Sequence, residues 1–380
     1  MHPGTAFGRR SRATASTPPP RYILPSHLVQ ASYERALVGI ALTSLLMALD
    51  VALDIGTSHT RLATSQRGVL FDEPTMVAID TNSGVVVEVG HGALELVGRT
   101  SRHVVVFRPF NQGATVDFDV TARLIAALFD RAGVSKLSRA RVVMSVPSLA
   151  TAIERRALRQ AAIQAGAREV SLVEAPLAAA IGLGLPVQDP VGSAVTLMGA
   201  GASEAAIISL GGIVTGGARR LGGNDVDAAI ATSLRLNIGV VVAPSIVEML
   251  KCTLASALGR TAGLVEVVLA RSVDRGDPVE VEVSAELVNG ALHDVLNSTI
   301  RMIEECFGDA PPDLSQDVSA RGMTLVGGHA NLSDVAELVA TATGVEVNVA
   351  PQADLVVIQG LQACLEEMAS LHALFRSADR

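Results

Sequence analysis

VALDIGTSHTRLAT, residues 51–64, is an apolar run, a turn of Gly, Thr and Ser, and a second apolar run that leads on to Gly68. AVTLMGAGASEAAIISLGG, residues 194–212, repeats the plan. Laid over one another at one constant offset, they pair Gly56 with Gly199, Thr57 with Ala200, Ser58 with Gly201 and Thr60 with Ser203, which reads as an ancient internal duplication. A tight turn of Gly, Ser and Thr between two strands directs backbone N–H groups and hydroxyls into one concavity, the surroundings a polyphosphate needs. One such loop is weak evidence. Two at equivalent positions of two halves could face each other and clamp a nucleotide between domains.

Helix signals follow each hairpin. Thr151-Ala-Ile-Glu154 is a capping box that opens an apolar-periodic run through Gln164, stopping at Gly166. A strand is expected over Glu169–Val173, then a helix entered at Pro176 in EAPLAAAIGLGL that ends near Gly182 and Gly184. Ser245-Ile-Val-Glu248 reads as a second capping box, with Glu248 and Lys251 three apart on one helix face. Ser284–Phe307 predicts one long helix. GMTLVGGH, residues 322–329, predicts a strand running into a third glycine turn, with a helix from about Asn331 or Ser333. Strands alternating with helices predict an α/β architecture.

The whole chain has 380 residues, enough for two or three domains with cores of their own. Apolar residues make up 49%, charged residues 18% and aromatics 3%, so the cores are filled by Val, Leu, Ile and Ala, and disorder of the whole chain is excluded. The net charge of −8, with Lys136 and Lys251 the only lysines, lacks the basic face that nucleic acid requires. Cys252, Cys306 and Cys364 stand far apart with no clustered His, which predicts neither a zinc site nor a disulfide framework. The longest apolar run, Ala36–Ala48, falls short of the roughly 20 residues that span a bilayer.

Residues 1–20 are basic, rich in Ser, Thr and Pro, and nearly devoid of large apolar side chains, a composition that predicts disorder. Residues 1–50 are accordingly expected to be a disordered extension, or one added by a mis-assigned start codon ahead of Met47. A membrane-touching amphipathic arm is the rival reading. Residues 1–46 are expected to be dispensable for folding.

Beyond the hairpins the chain carries EPTMVAID at Glu73–Asp80, GRT at Gly98–Thr100 and RPFNQGATVDFDVT at Arg108–Thr121. It continues with IERRALRQAAIQAGAREVSLVEAPLAAAIGLGLPV at Ile153–Val187, AIISLGGIV at Ala206–Val214 and RGMTLVGGHANL at Arg321–Leu332. With LDIGTSHTRLA at Leu53–Ala63, these ordered motifs resemble the MreB/Mbl rod-shape family of bacterial actin homologues, within the actin/Hsp70/sugar-kinase superfamily. The resemblance runs from about Val51 to about Met368. It implies an α/β actin-like ATPase fold: two duplicated mixed-sheet cores with a nucleotide cleft between them, in four subdomains. The first core would comprise 51–75, 109–187 and 360–380 with a small insertion at 76–108. The second would comprise 188–223 and 289–359 with an insertion at 224–288.

By the same resemblance Asp54, Gly56, Thr57, Ser58, His59 and Thr60 form a first phosphate loop, and Asp54 directs Mg2+ through water. Gly199, Gly201, Ala202 and Ser203, with Glu204 after them, form a second loop. Glu248 and Lys251 flank the adenosine of ATP, and Gly327, Gly328, His329 and Ala330 make the adenine-side turn. Glu154 matches the residue that orients the attacking water, although its capping-box partnership with Thr151 is an equal claim on the same carboxylate. Five positions depart from the family. Leu197 replaces the second magnesium-directing Asp, Ala202 replaces a Thr, His59 an Asn, Asn224 an Asp, and His329 a Gly. Those losses fall on catalysis more than on fold. His59 and His329 lack a third ligand for a metal and read as polar residues lining the cleft, or as marks of relaxed selection for ATP.

The expected function is a cytoskeletal protein that forms or joins filaments at the inner membrane face, in the cytoplasm, and organises cell-wall synthesis and cell shape, with a degenerate ATP site of weak or absent ATPase activity. Expected partners are the chain itself or a paralogue, the inner-membrane surface and the wall-synthesis machinery. One alternative is a non-polymerising pseudo-ATPase that regulates or copolymerises with an intact homologue, and another is a monomeric ATPase or kinase of the superfamily. Membrane contact is expected to be peripheral, through Val104–Phe107 or Ala36–Ala48.

Overall fold

A computed structural model describes residues 50–100, 102–115, 117–134 and 140–367, all within one compact unit, Ala48–Arg380. The expectations for residues 1–49, including Ala36–Ala48, lie outside the described residues.

Strands β1 (Val51–Ile55), β2 (His59–Thr64) and β3 (Gly68–Pro74) form an antiparallel meander, and β1 also pairs in parallel with β9 (Arg141–Val146), which pairs in parallel with β10 (Glu169–Glu174). The resulting order is β10-β9-β1-β2-β3. The second sheet is built the same way from β11 (Ser193–Met198), β12 (Ser203–Ser209), β13 (Gly212–Arg219), β17 (Met323–Val326) and β18 (Val347–Val349), in the order β18-β17-β11-β12-β13. Ile55 pairs with Thr60 in one hairpin and Met198 with Ser203 in the other, at the offset read from the sequence. The turn is closed identically in both: Gly56 N donates to His59 O at 2.9 Å, and Gly199 N to Ala202 O at 2.9 Å. The duplication is therefore structural as well as textual.

Continuous apolarity in β1 follows from burial on both faces. Val51, Leu53 and Ile55 enter a cluster with α2 (Phe118–Ala132) and α3 (Ala152–Ala165), while Ala52 turns the other way into a larger cluster shared with the second sheet. Asp117 caps α2 by accepting from Val120 N, and the box at Thr151 and Glu154 caps α3 as expected.

Between the sheets lie α4 (Ala175–Gly182) and α10 (Val356–Glu366). Residues 175–180 are buried throughout, which is why the segment is apolar all round. The two helices meet backbone to backbone. A Cβ on Gly360 would stand 1.8 Å from Ala178 O, and one on Gly182 would stand 2.2 Å from Val356 O.

Each sheet carries a small appendage. On the first it is β4 (Val77–Asp80), β5 (Val86–Val89), β6 (Val104–Phe107) and α1 (His91–Glu95), followed by a short ladder of β7 (Phe110–Asn111) and β8 (Ala114–Thr115). Val104, Val106 and Phe107 are half-buried and Val105 is exposed. On the second it is α5 (Gly223–Asn237), β14 (Val240–Val241), α6 (Pro244–Leu254), β15 (Val265–Ser272) and β16 (Pro278–Ser284). The chain then forms α7 (Ala285–Gly308), α8 (Pro312–Arg321) and α9 (Val335–Thr343). No helix among the described residues is long and apolar enough to cross a membrane.

Two local expectations are corrected. The box at Ser245 does not form, because Pro244 occupies the first helical position of α6, places the N-cap at Ala243 and leaves Ser245 inside the helix. The third glycine turn is followed by a 3₁₀ turn, Gly328–Asn331, and the helix begins only at Val335, after Asp334 with φ 64°.

Candidate functional site

The two hairpin turns, the third glycine turn and α6 enclose a cleft of about 600 Å³. The turns approach each other closely. Gly113 N donates to Thr57 Oγ1 at 3.0 Å, and a Cβ on Gly201 would stand 2.4 Å from the same hydroxyl oxygen, so only glycine fits there. Gly327 is held in the same way: its φ is 93°, and a Cβ would stand 2.4 Å from Met198 O.

The second turn also orients its own amides. Gly199 O accepts from Gly223 N at 3.0 Å, and Ala200 O accepts from Asn224 N at 2.8 Å, so both carbonyls face the start of α5. In a planar trans peptide the N–H points opposite to the C=O, which turns the amides of Ala200 and Gly201 away from α5. Both residues line the cleft. Among the described residues, the amides of Thr57, Ser58, Ala200 and Gly201 donate to no protein group. Four uncommitted N–H donors from two facing hairpins fit a polyphosphate.

Of the residues singled out in the sequence, Asp54, Gly56, Thr57, Ser58, His59, Gly199, Gly201, Ala202, Glu248, Lys251, Gly327, Gly328 and His329 line the cleft. Thr60, Ser203, Ala330 and Glu154 do not. Strand alternation turns Thr60 inward to share a hydrogen bond of 2.9 Å with Thr75, and Ser203 Oγ donates to Leu221 O at 3.0 Å. Glu154 Oε2 accepts from Thr151 N at 2.7 Å, while Oε1 pairs with Arg220 at 3.0 Å. Burial raises the Glu154 carboxyl pKa, but the Thr151 amide and Arg220 outweigh it and hold the net value below normal.

Charge in the cleft is mostly committed. Burial pushes the pKa of Asp54 up, and Ser145 Oγ donates to its Oδ1. Burial likewise raises Glu204, whose Oε2 accepts from Ser148 N at 2.7 Å. Arg61 pairs with Asp72 at 3.1 Å and Asp354 at 3.0 Å. Lys251 pairs with Glu248 at 2.7 Å and Asp227 at 2.8 Å. Burial opposes the Lys251 charge, yet the two carboxylates hold its pKa above the usual value. His59 is depressed by burial and then by Arg61, and His329 is driven to about 4 by burial and then by Lys251. Five carboxylates line the cleft against two cations. Asp54 stands beside the first turn, and among the described residues there is no cluster that would hold a metal by protein ligands alone.

Arg61, Asp72, Ser145 and Asp354 also line the cleft and were not singled out in the sequence. One signal was available for Ser145: it is a polar residue near the carboxyl end of a buried strand, where ligands of open α/β sheets gather. Arg61 and Asp354 lie 293 positions apart, a pairing that local pattern does not carry.

The chain matches the MreB/Mbl protein family model over residues 48–373. It is 36% identical over 333 residues to the cell shape-determining protein MreB of Escherichia coli K12, covering 85% of this chain and 94% of that protein. To the cell shape-determining protein Mbl of Bacillus subtilis it is 30% identical over 327 residues, covering 86% and 98%. The crystal structure of MreB5 of Spiroplasma citri bound to ADP superposes with a TM-score of 0.79 at 25% identity, over 86% of this chain and 98% of that one. The MamK double helical filament shares the fold, with a TM-score of 0.71 at 18% identity over 84% and 99%.

Proposed function

This chain belongs to the MreB/Mbl protein family of cell shape-determining, actin-like cytoskeletal proteins, and from that premise we propose that it binds ATP with Mg2+ in the cleft, weakly, and forms or joins filaments. The observation that carries the reading is the pair of matched hairpins with four uncommitted amides on residues that line one cleft. ADP in the MreB5 structure and the filament of MamK support it by analogy. In this reading the turn amides and the Thr57 and Ser58 hydroxyls bind phosphate oxygens, and Asp54 orients water around the metal. Magnesium, when bound, supplies the counter-charge that the acidic cleft lacks.

Hydrolysis is the degenerate part. Leu197 stands where a second carboxylate would direct the metal, packed beside Gly327. Glu154, fastened to Thr151 and Arg220, is not among the residues that line the cleft. The same facts favour a second reading, a pseudo-ATPase that copolymerises with an intact homologue. Both readings place the protein in the cytoplasm against the inner membrane face, among the machinery that builds the cell wall.

Sedimentation with Mg2+ and ATP, ADP or no nucleotide, alone and with an intact homologue from the same cell, tests them. Pelleting alone supports the first reading, and pelleting only with the homologue supports the second. A soluble monomer that binds no nucleotide in every mixture would sink both.

A further inference from the structure

His329 lies on the third glycine turn and is 7% exposed. The residue lines the cleft, and its ring packs against the start of α5 beside the second hairpin turn. Nδ1 lies 3.6 Å, and Ala200 Cα 3.8 Å, from the point where a Cβ on Gly223 would stand. Nε2 is buried and has no hydrogen-bond partner. Such a nitrogen forfeits its water without compensation, a cost that buried polar groups in folded proteins almost always avoid by pairing. A smaller or apolar residue would remove that cost at once. The imidazole is thus expensive in the empty cleft and becomes favourable when something in the cleft meets Nε2.

We propose that His329 is a specificity-determining residue of the cleft, whose Nε2 hydrogen-bonds an oxygen of the bound nucleoside diphosphate or triphosphate. This rests on the reading that a nucleotide occupies the cleft. The ring is neutral at pH 7, with its pKa near 4, so it offers one N–H and one lone pair without adding charge. A phosphate oxygen accepts from the N–H, and a ribose hydroxyl can meet either nitrogen form.

The test is calorimetric binding of Mg·ADP and Mg·ATP to the full chain and to His329→Ala, His329→Gly and His329→Gln, with melts of each protein without nucleotide. Dissociation constants are expected to rise about tenfold in the Ala and Gly variants, with Gln, which keeps a donor and an acceptor at similar reach, recovering most of the loss. Without nucleotide, His329→Ala should melt at or above the wild-type temperature, because an unpaired buried nitrogen has been removed. Repeating the series with 2′-deoxy and 3′-deoxy ADP and with inorganic pyrophosphate locates the oxygen: a loss that vanishes with either sugar assigns it to the ribose, one that persists with both sugars and with pyrophosphate assigns it to phosphate, and one that persists with the sugars but not with pyrophosphate points to the base and overturns the oxygen contact. Affinities within twofold of wild type in His329→Ala would overturn the inference and leave nucleotide binding standing. So would a lowered melting temperature with a loss that Gln does not recover, the mark of a packing role. Failure of the wild type to bind either nucleotide would remove the inference and the proposed function together.

Discussion

Leu197 and Glu204 set what single side chains contribute to the cleft. If the cleft takes Mg·ATP as proposed, replacing Leu197 by Asp adds a charge-assisted contact to the metal shell, worth about 1.5–3 kcal/mol, so Leu197→Asp should tighten Mg·ATP by roughly ten- to a hundredfold in calorimetry. Adding Ala202→Thr should gain about 1 kcal/mol more for a neutral donor. Glu204 carries a pH prediction. Its native pKa is raised above the reference 4.5, mainly by burial, so folding favours the protonated acid. The stability it contributes is therefore full below pH 4.5 and is lost as pH rises through the native value. Glu204→Gln keeps an oxygen for Ser148 and removes the buried charge. It should melt above wild type at pH 8, by a margin that shrinks at pH 5, and an equal margin at both would count against the burial argument.

Elements were legible in the sequence where the signal is local, and illegible where it is not. Both hairpins, the box at Thr151, and the buried helix in EAPLAAAIG are written in neighbouring residues, and they stand where the pattern puts them. Ser245 misled because Pro244 pre-empts the cap, a contest between two local signals. Thr60 and Ser203 belong to the loop motif by spacing, yet strand alternation turns them into the core. The Arg61 pair with Asp354 and the pocket around His329 depend on segments distant in the chain, so no window of sequence could show them. The contact of α4 with α10 gives a prediction at this scale. Gly360→Ala must push apart two backbones and should cost about 3 kcal/mol or more, beyond ordinary overpacking. Gly290→Ala, at an exposed position of α7 with open space around the added carbon, should instead stabilise by about 0.5–1 kcal/mol. Urea midpoints of the two variants would show a shift of opposite sign.

Across the whole molecule the two halves are tied by groups from both sides of the cleft: Glu204 to Ser148, Arg220 to Glu154 and Asp354 to Arg61. Because five carboxylates face two cations there, ATP with EDTA should bind at least tenfold more weakly than Mg·ATP, and equal affinities would contradict the acidic reading of the cleft. Ordinary helix pairs interlock, ridges seated in grooves, and turning one against the other means unseating side chains. Where Gly182 meets Val356, and Gly360 meets Ala178, no side chain stands between the helices to be unseated. The junction is a plain bearing and not a pair of gears. At those two points the spacing of the helices is set by main chain alone, and any side chain added there sets a new one.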